Sequence, residues 1–150
     1  MSEIKFTDNN GRKNQQHIPT AVAQDTFVNG QAVVVSYDAK GNAIASLPTA
    51  DTAKGDVKFI ANVIDKPELD NKSDYKIEKG EPCRAFTFQK GVTLDISADL
   101  VTDETVAIGD TLVPNTSGTY TVSAETDYEV KLKVIKPTTF MGKGFQVIVE

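Results

Sequence analysis

"YEVKLKVIK", residues 128–136, puts Val130, Leu132 and Val134 on one side and Lys131 and Lys133 on the other. Strict alternation is the pattern of a strand with one face buried and the other in water. A slip of one residue would bury both lysines, so the side chains themselves specify the register. The segment predicts a sheet with a core on one face, and it requires partner strands from elsewhere in the chain.

Those partners are readable in both directions. Toward the C-terminus, "GFQVIVE" (144–150) is a strand. Toward the N-terminus, "VAIGDTLVPNTSGTY" (106–120) contains a Gly109-Asp110 turn leading into a strand over Thr111-Leu112-Val113. Pro114 ends that strand, and Asn115-Thr116-Ser117-Gly118 reverses the chain into "TYTVSA". "VTLDIS" (92–97) follows a tight turn at Lys90-Gly91, and "CRAFTFQ" (83–89) alternates Ala85 and Thr87 against Phe86 and Phe88. "DVKFIANVID" (56–65) reads as one long strand and "QAVVVSY" (31–37) as another, followed by "DAKGNAIA" as a turn with Lys40-Gly41-Asn42 at its tip. Helical periodicity is nearly absent. One helical turn is expected, capped by Ser97 and running through Leu100 and Val101. About eight or nine short strands separated by turn residues predict an all-β fold, a small β-barrel or β-sandwich.

Two polar stretches interrupt this pattern. Residues 1–20 offer only Ile4, Phe6 and Ile18 as sizeable apolar side chains, too few to fold alone. They are expected to form an extended polar N-terminal arm that docks on a neighbour, with Ile4 and Phe6 pointing to one side. Residues 21–150 form the β-rich domain. "DKPELDNKSDYKIEKGEP" (65–82) reads as a long surface loop or a ragged hairpin.

Composition sets further bounds. The 150 residues suffice for one domain without covalent staples. The single cysteine, Cys83, excludes an internal disulfide and fits folding in a reducing cytoplasm. The polar start is not a secretory signal, and no apolar run reaches membrane-spanning length. With 16 basic and 21 acidic residues, the net charge of −5 disfavours a general nucleic-acid footprint.

Chemistry-bearing residues are sparse, and each has a plainer explanation. His17 lies in the arm, where nothing positions or desolvates a general base. Arg84 beside Cys83 could favour a thiolate, but a small apolar residue opening a strand is the better explanation of Cys83. Asp65, Glu68, Asp70 and Asp74 lack the alternation, central glycine and closing glutamate of a calcium loop. Asp95, Asp99, Asp103 and Glu104 read as solvated charge. The G-x-G of "MGKGF" (141–145) precedes a strand rather than a helix, so its glycines are expected to serve a hairpin through positive φ. The chain has no tryptophan, which weakens a sugar-binding reading. No catalytic residue, metal ligand or cofactor site is expected.

The succession of "VNGQAVVVSYDAKGNAIASLPTADTAKGDVKFIANVID", "GVTLDISADLV", "VAIGDTLVPNTSGTY" and "YEVKLKVIKPTTFMGKGFQVIVE", behind a polar arm, resembles the small β-rich capsid decoration, or cement, proteins of tailed bacteriophages. The shared motifs are short: a Gly-containing turn before a hydrophobic strand, here Gly55 to Ile64, and a Gly-Asp element before a hairpin, here Gly109 to Pro114. The resemblance implies a non-enzymatic virion protein, made in the host cytoplasm and placed on the capsid exterior. It implies the major capsid protein as partner and self-association, with a trimer favoured over other small oligomers, and neither nucleic acid nor membrane. It also implies an arm ordered on the capsid by strand addition, which would place the capsid contacts on Ile4, Phe6, Arg12, Lys13 and Ile18. A head-fibre base, a tail-tube component or an adhesin-like module binding host glycan is the alternative within the virion. A small hydrolase or carrier domain is the alternative outside it, although the Met-Lys hairpin tip of a carrier is missing.

Overall fold

In the computed structural model, residues 6–8, 17–62, 76–139 and 143–150 are described. The strands are β1 (Phe6–Asp8), β2 (His17–Ala23), β3 (Ala32–Tyr37), β4 (Ala43–Ser46), β5 (Lys58–Ile60), β6 (Pro82–Thr87), β7 (Thr93–Ser97), β8 (Thr111–Pro114), β9 (Tyr120–Val122), β10 (Leu132–Thr138) and β11 (Gly144–Val149). They form a six-stranded sheet in the order β1-β7-β11-β10-β8-β9 and a closed barrel in the order β2-β4-β3-β5-β6. The expected all-β class is therefore observed, and barrel and sheet-on-sheet packing occur together in one chain.

The alternation at 130–134 does what its side chains require. Val130, Leu132 and Val134 are buried and Lys133 is exposed. β10 pairs with β11 through Leu132↔Val149 and Val134↔Val147, and with β8 through Leu132↔Leu112. After Val134 the register shifts, which places a bulge at Ile135 and leaves that side chain 37% exposed. The turn at Ser97 is also as expected: residues Ala98–Leu100 form a single 3-10 turn, and the Ser97 hydroxyl accepts from the Asp99 N–H.

Several elements differ from the sequence reading. Ala43 to Ala45, read as part of a turn, belong to strand β4, because the chain runs back along β3 with Val35↔Ala45 and Tyr37↔Ala43 paired. The turn itself is confined to 38–42, where the Asp38 carboxylate accepts from the N–H groups of Lys40 and Asn42 at 2.9 Å each. The long strand expected over 56–65 is regular only at Lys58–Ile60, although Ala61 N–H still bonds to the Arg84 carbonyl. Residues 63–65 lie outside the described residues. Strand β2 begins at His17, antiparallel to β6 and parallel to β4.

Two cores result from one set of strands. Val33, Ile60, Cys83 and Ala85 point into the barrel beside Phe27 and Ile77. Their sequence neighbours Ala32, Phe59 and Phe86 point the other way and pack with Leu94, Ile96, Leu112, Leu132 and Val147 of the six-stranded sheet. Ala32-Val33 of β3, Phe59-Ile60 of β5 and Ala85-Phe86 of β6 are thus buried on both faces, which explains the consecutive apolar residues there in place of the alternation seen in β10.

Tyr120 joins the two halves. Its ring stands edge-on to Phe88, with centroids 6.4 Å apart, and its hydroxyl donates to the Gly30 carbonyl at 2.7 Å. The residue is fully buried, and that burial pushes the phenol pKa upward. Tyr120→Phe keeps the ring packing but leaves a buried acceptor at Gly30. A loss of about 1–2 kcal/mol is expected, seen as a lower urea midpoint with an unchanged slope; an unchanged midpoint would refute this assignment.

Candidate functional site

Among the described residues, the backbones of His17 and Cys83 are set apart. Cys83 is buried in the barrel, with Ala21 as its β2 partner, whereas the β2 partner of Phe86 is His17. Three strand positions, roughly 10 Å, therefore separate the His17 and Cys83 backbones along the ladder. Burial pushes the Cys83 thiol up to about 11, opposite to what a nucleophile needs. Arg84 does not act on it: its guanidinium lies over the Phe86 ring, 5.6 Å from the centroid. Cys83 should resist a thiol reagent at pH 8 in the folded protein and react stoichiometrically once denatured. Rapid labelling of the native chain would show that the barrel opens readily.

The second acidic run is dispersed. Asp95 is on β7, Asp99 on the 3-10 turn, and Glu104 is exposed. Asp103 fastens neighbouring backbone and hydroxyls. It accepts from the Thr121 hydroxyl at 2.8 Å, the Thr102 hydroxyl at 3.2 Å and the Val122 N–H at 3.3 Å. These bonds, led by Thr121, hold its carboxyl below the ordinary value of 3.8. A depressed carboxyl contributes stability above its unfolded pKa and loses it as pH falls through the lower folded value. Asp103→Asn should therefore flatten the fall in melting temperature below pH 4; an unchanged acid limb would refute this linkage. Among the described residues no group of three or more His, Cys, Asp or Glu is placed to hold a metal. Asp65, Glu68, Asp70 and Asp74 lie outside the described residues.

The Gly-Asp and "NTSG" stretches are architectural. Asp110 N–H bonds to the Ala107 carbonyl while its carboxylate accepts from the Ala107 N–H at 2.8 Å, and Gly109 occupies the turn with φ 93°. The Gly109 N–H then ties the turn to the Val134 carbonyl of β10. This geometry leaves Ile108 at the tip, 70% exposed. In the next hairpin, the Asn115 side chain accepts from the N–H groups of Ser117 and Thr119. The tip does not simply point into solvent. Gly118 gives its carbonyl to the Ala32 N–H at 2.7 Å, and Gln31 donates to the Ser117 carbonyl at 3.1 Å. The hairpin is thereby fastened to the start of β3 in the barrel.

The glycine pair near the C-terminus needs a correction. Gly142 lies outside the described residues, and Gly144 is not among the positive-φ glycines. It is required instead by close approach, because a Cβ there would collide with the Ile96 carbonyl oxygen of β7.

Polar surface features are shallow. Lys54 pairs with Asp127 at 2.8 Å and Glu125 at 3.5 Å and lies 5.5 Å from the centre of the Tyr128 ring. The Asp127 hydrogen bond, foremost, raises the Lys54 pKa. An open recess of about 420 Å³ is lined by Lys90, Tyr128, Glu129, Lys131 and Glu150. Its lining mixes both charge signs and contains no Ser, Thr, Cys or His.

What remains is a backbone site. The barrel has no open edge. At β9, one end of the six-stranded sheet, the outer side is covered: Val101 bridges Tyr120, Thr102 N–H bonds to the Tyr120 carbonyl, and Asp103 takes the Val122 N–H. At the other end lies β7, where β1 is added antiparallel with Phe6↔Ile96, Thr7↔Asp95 and Asp8↔Leu94 in register. Of the arm residues singled out from the sequence, Phe6 is on this added strand and Ile18 is on β2, opposite Ala85. Ile4, Arg12 and Lys13 lie outside the described residues. The receiving strand was not singled out beforehand. Its signal is the alternation of Leu94 and Ile96 against Thr93 and Asp95, which marks a strand without marking it as the sheet's receiving end.

Comparison with protein-family models gives no match, and comparison with the curated proteins gives none either.

Proposed function

We propose that this chain is a non-enzymatic structural protein of a tailed-bacteriophage virion, bound to the outside of the assembled capsid and clamping neighbouring capsid subunits. The observation that carries the reading is the arm strand β1 seated at the receiving edge of a body whose other edges are closed or covered. Strand addition is a protein-recognition mode: backbone hydrogen bonds give affinity and alternate side chains give specificity. The doubly buried segments of β3, β5 and β6 supply a stiff body behind that edge. The major capsid protein is the partner under this reading, with the arm residues Ile4, Phe6, Arg12 and Lys13 as its contacts, while Ile18 belongs to barrel strand β2.

The test mixes purified protein with undecorated expanded heads and pellets them. Saturable co-sedimentation is expected. Removal of residues 1–8 should weaken binding at least tenfold while leaving the melting temperature within a few degrees, because the deletion stops short of β2 at His17. Protein that stays in the supernatant at saturating concentration with its arm intact would end the reading.

A further inference from the structure

We infer that copies of this chain associate head to tail, the β3–β4 hairpin of one copy seating its Tyr37 on the Ile108/Ile135 patch of the next. Tyr37, Ile108 and Ile135 are the large exposed apolar side chains among the described residues. A single one of these would need no explanation. Two of them flank one hydrogen bond: the Gly109 N–H bonds to the Val134 carbonyl, and Ile108 and Ile135 each lie one residue from it. The bulge at Ile135 adds charge beside them. Lys133 pairs with Ile148 and, past the bulge, Lys136 pairs with Gln146. Ile148 and Gln146 alternate with the buried Val149, Val147 and Phe145, so both lysines stand on the outer face of the sheet. Without the extra residue Lys136 would share the inner face of Val134. Neither lysine has an ion pair among the described residues.

Tyr37 occupies a preformed projection. Residues 36–42 are all exposed, and beyond Val33 strand β3 pairs with β4 alone. The turn is clasped from within: Asp38 N–H bonds to the Asn42 carbonyl at 2.9 Å, Gly41 N–H to the Asp38 carbonyl at 3.0 Å, and the Asp38 carboxylate takes the Lys40 and Asn42 N–H groups. A tyrosine on such a support loses little freedom on docking. Charge selects the seating. The patch carries Lys133 and Lys136 with Asp110 beside Gly109, and the hairpin carries Asp38 and Lys40, so each sign finds its opposite across the contact. Patch on patch would set lysines against lysines, and hairpin on hairpin Asp38 against Asp38. Within one chain Tyr37, Ile108 and Ile135 all remain exposed, so a second copy is what covers them. The contact is then heterologous, hairpin to patch.

The experiment uses the full chain without capsids, so its failure would leave the capsid reading standing. Sedimentation equilibrium up to about 1 mM protein detects a contact as weak as a millimolar Kd. The unaltered chain should associate reversibly. Tyr37→Lys disables the hairpin, and Ile108→Lys or Ile135→Ser disables the patch. Each variant should keep the parent melting temperature, because the side chains are exposed, and should associate at least tenfold more weakly. Mixing supplies the decisive readout. The Tyr37→Lys chain keeps an intact patch and the Ile108→Lys chain an intact hairpin, so together they should form a one-to-one pair and nothing larger. A chain that stays monomeric throughout the range overturns the inference, as do variants that associate like the parent or a mixture that forms no pair.

Discussion

Phe59→Ala should cost about 3–5 kcal/mol of folding stability, the range for emptying a fully buried aromatic site. Phe59 is completely buried on β5, between Ala32 of β3 and Phe86 of β6 in the ladder. Its ring lies 5.6 Å from Phe86 in a stacked arrangement and 4.8 Å from Phe88. Phe88 in turn meets Tyr120, so the cluster spans the barrel wall and the six-stranded sheet. Truncation leaves a cavity at the junction, where two sheets would have to move together to fill it. Domains of this size are typically stable by about 5–15 kcal/mol, so the variant would lose a large share of its margin. Urea unfolding monitored by circular dichroism measures the loss. A change below about 1 kcal/mol would mean that the junction is not the packed seam described above.

Gly144→Ala should cost about 3 kcal/mol, at the upper end for overpacking, because the atom in the way is backbone. Gly144 is the first residue of β11 and pairs with Ser97 at the end of β7. The added methyl would meet the Ile96 carbonyl oxygen and, behind it, the Ile96 carbonyl carbon and the Ser97 Cα. A long side chain could swing aside; this carbonyl belongs to a strand fixed on its other positions by Ile96↔Phe145 and Leu94↔Val147. The β7–β11 ladder must therefore open at this end. Gly41→Ala is a suitable comparison. Gly41 is a turn glycine with φ 82° and open space around it, so its variant bears backbone strain without collision. A larger loss at position 41 than at 144 would show that close approach is not what Gly144 provides.

Loss of the β7–β11 pairing would also disturb the strand that receives β1. Gly144→Ala should therefore lower arm pairing together with stability, whereas Phe59→Ala acts on the seam behind it. The two variants separate damage to the receiving edge from damage to the body.

The sequence itself, through local chemistry, determined the strands with one wet face and the turns. Lys131 and Lys133 cannot be buried unpaired, so β10 had one register open to it. Positive φ called for glycine at the turn after Ile108, and the Asp110 side chain closed that turn. Ser97 capped one turn because its hydroxyl reached an N–H two residues on. Each of these depends on neighbours a few residues away. Tertiary structure alone decided the rest. Ala32 and Val33, or Phe59 and Ile60, are equally apolar, and only the packing of sheet on barrel assigns one of each pair to each core. The shortening of the 56–65 strand, the pairing of β4 and the need for Gly144 likewise depend on partners distant in the chain. So does the choice of β7 to receive the arm. A strand's residues state that it can pair; which side of it remains to be taken depends on β11 having taken the other.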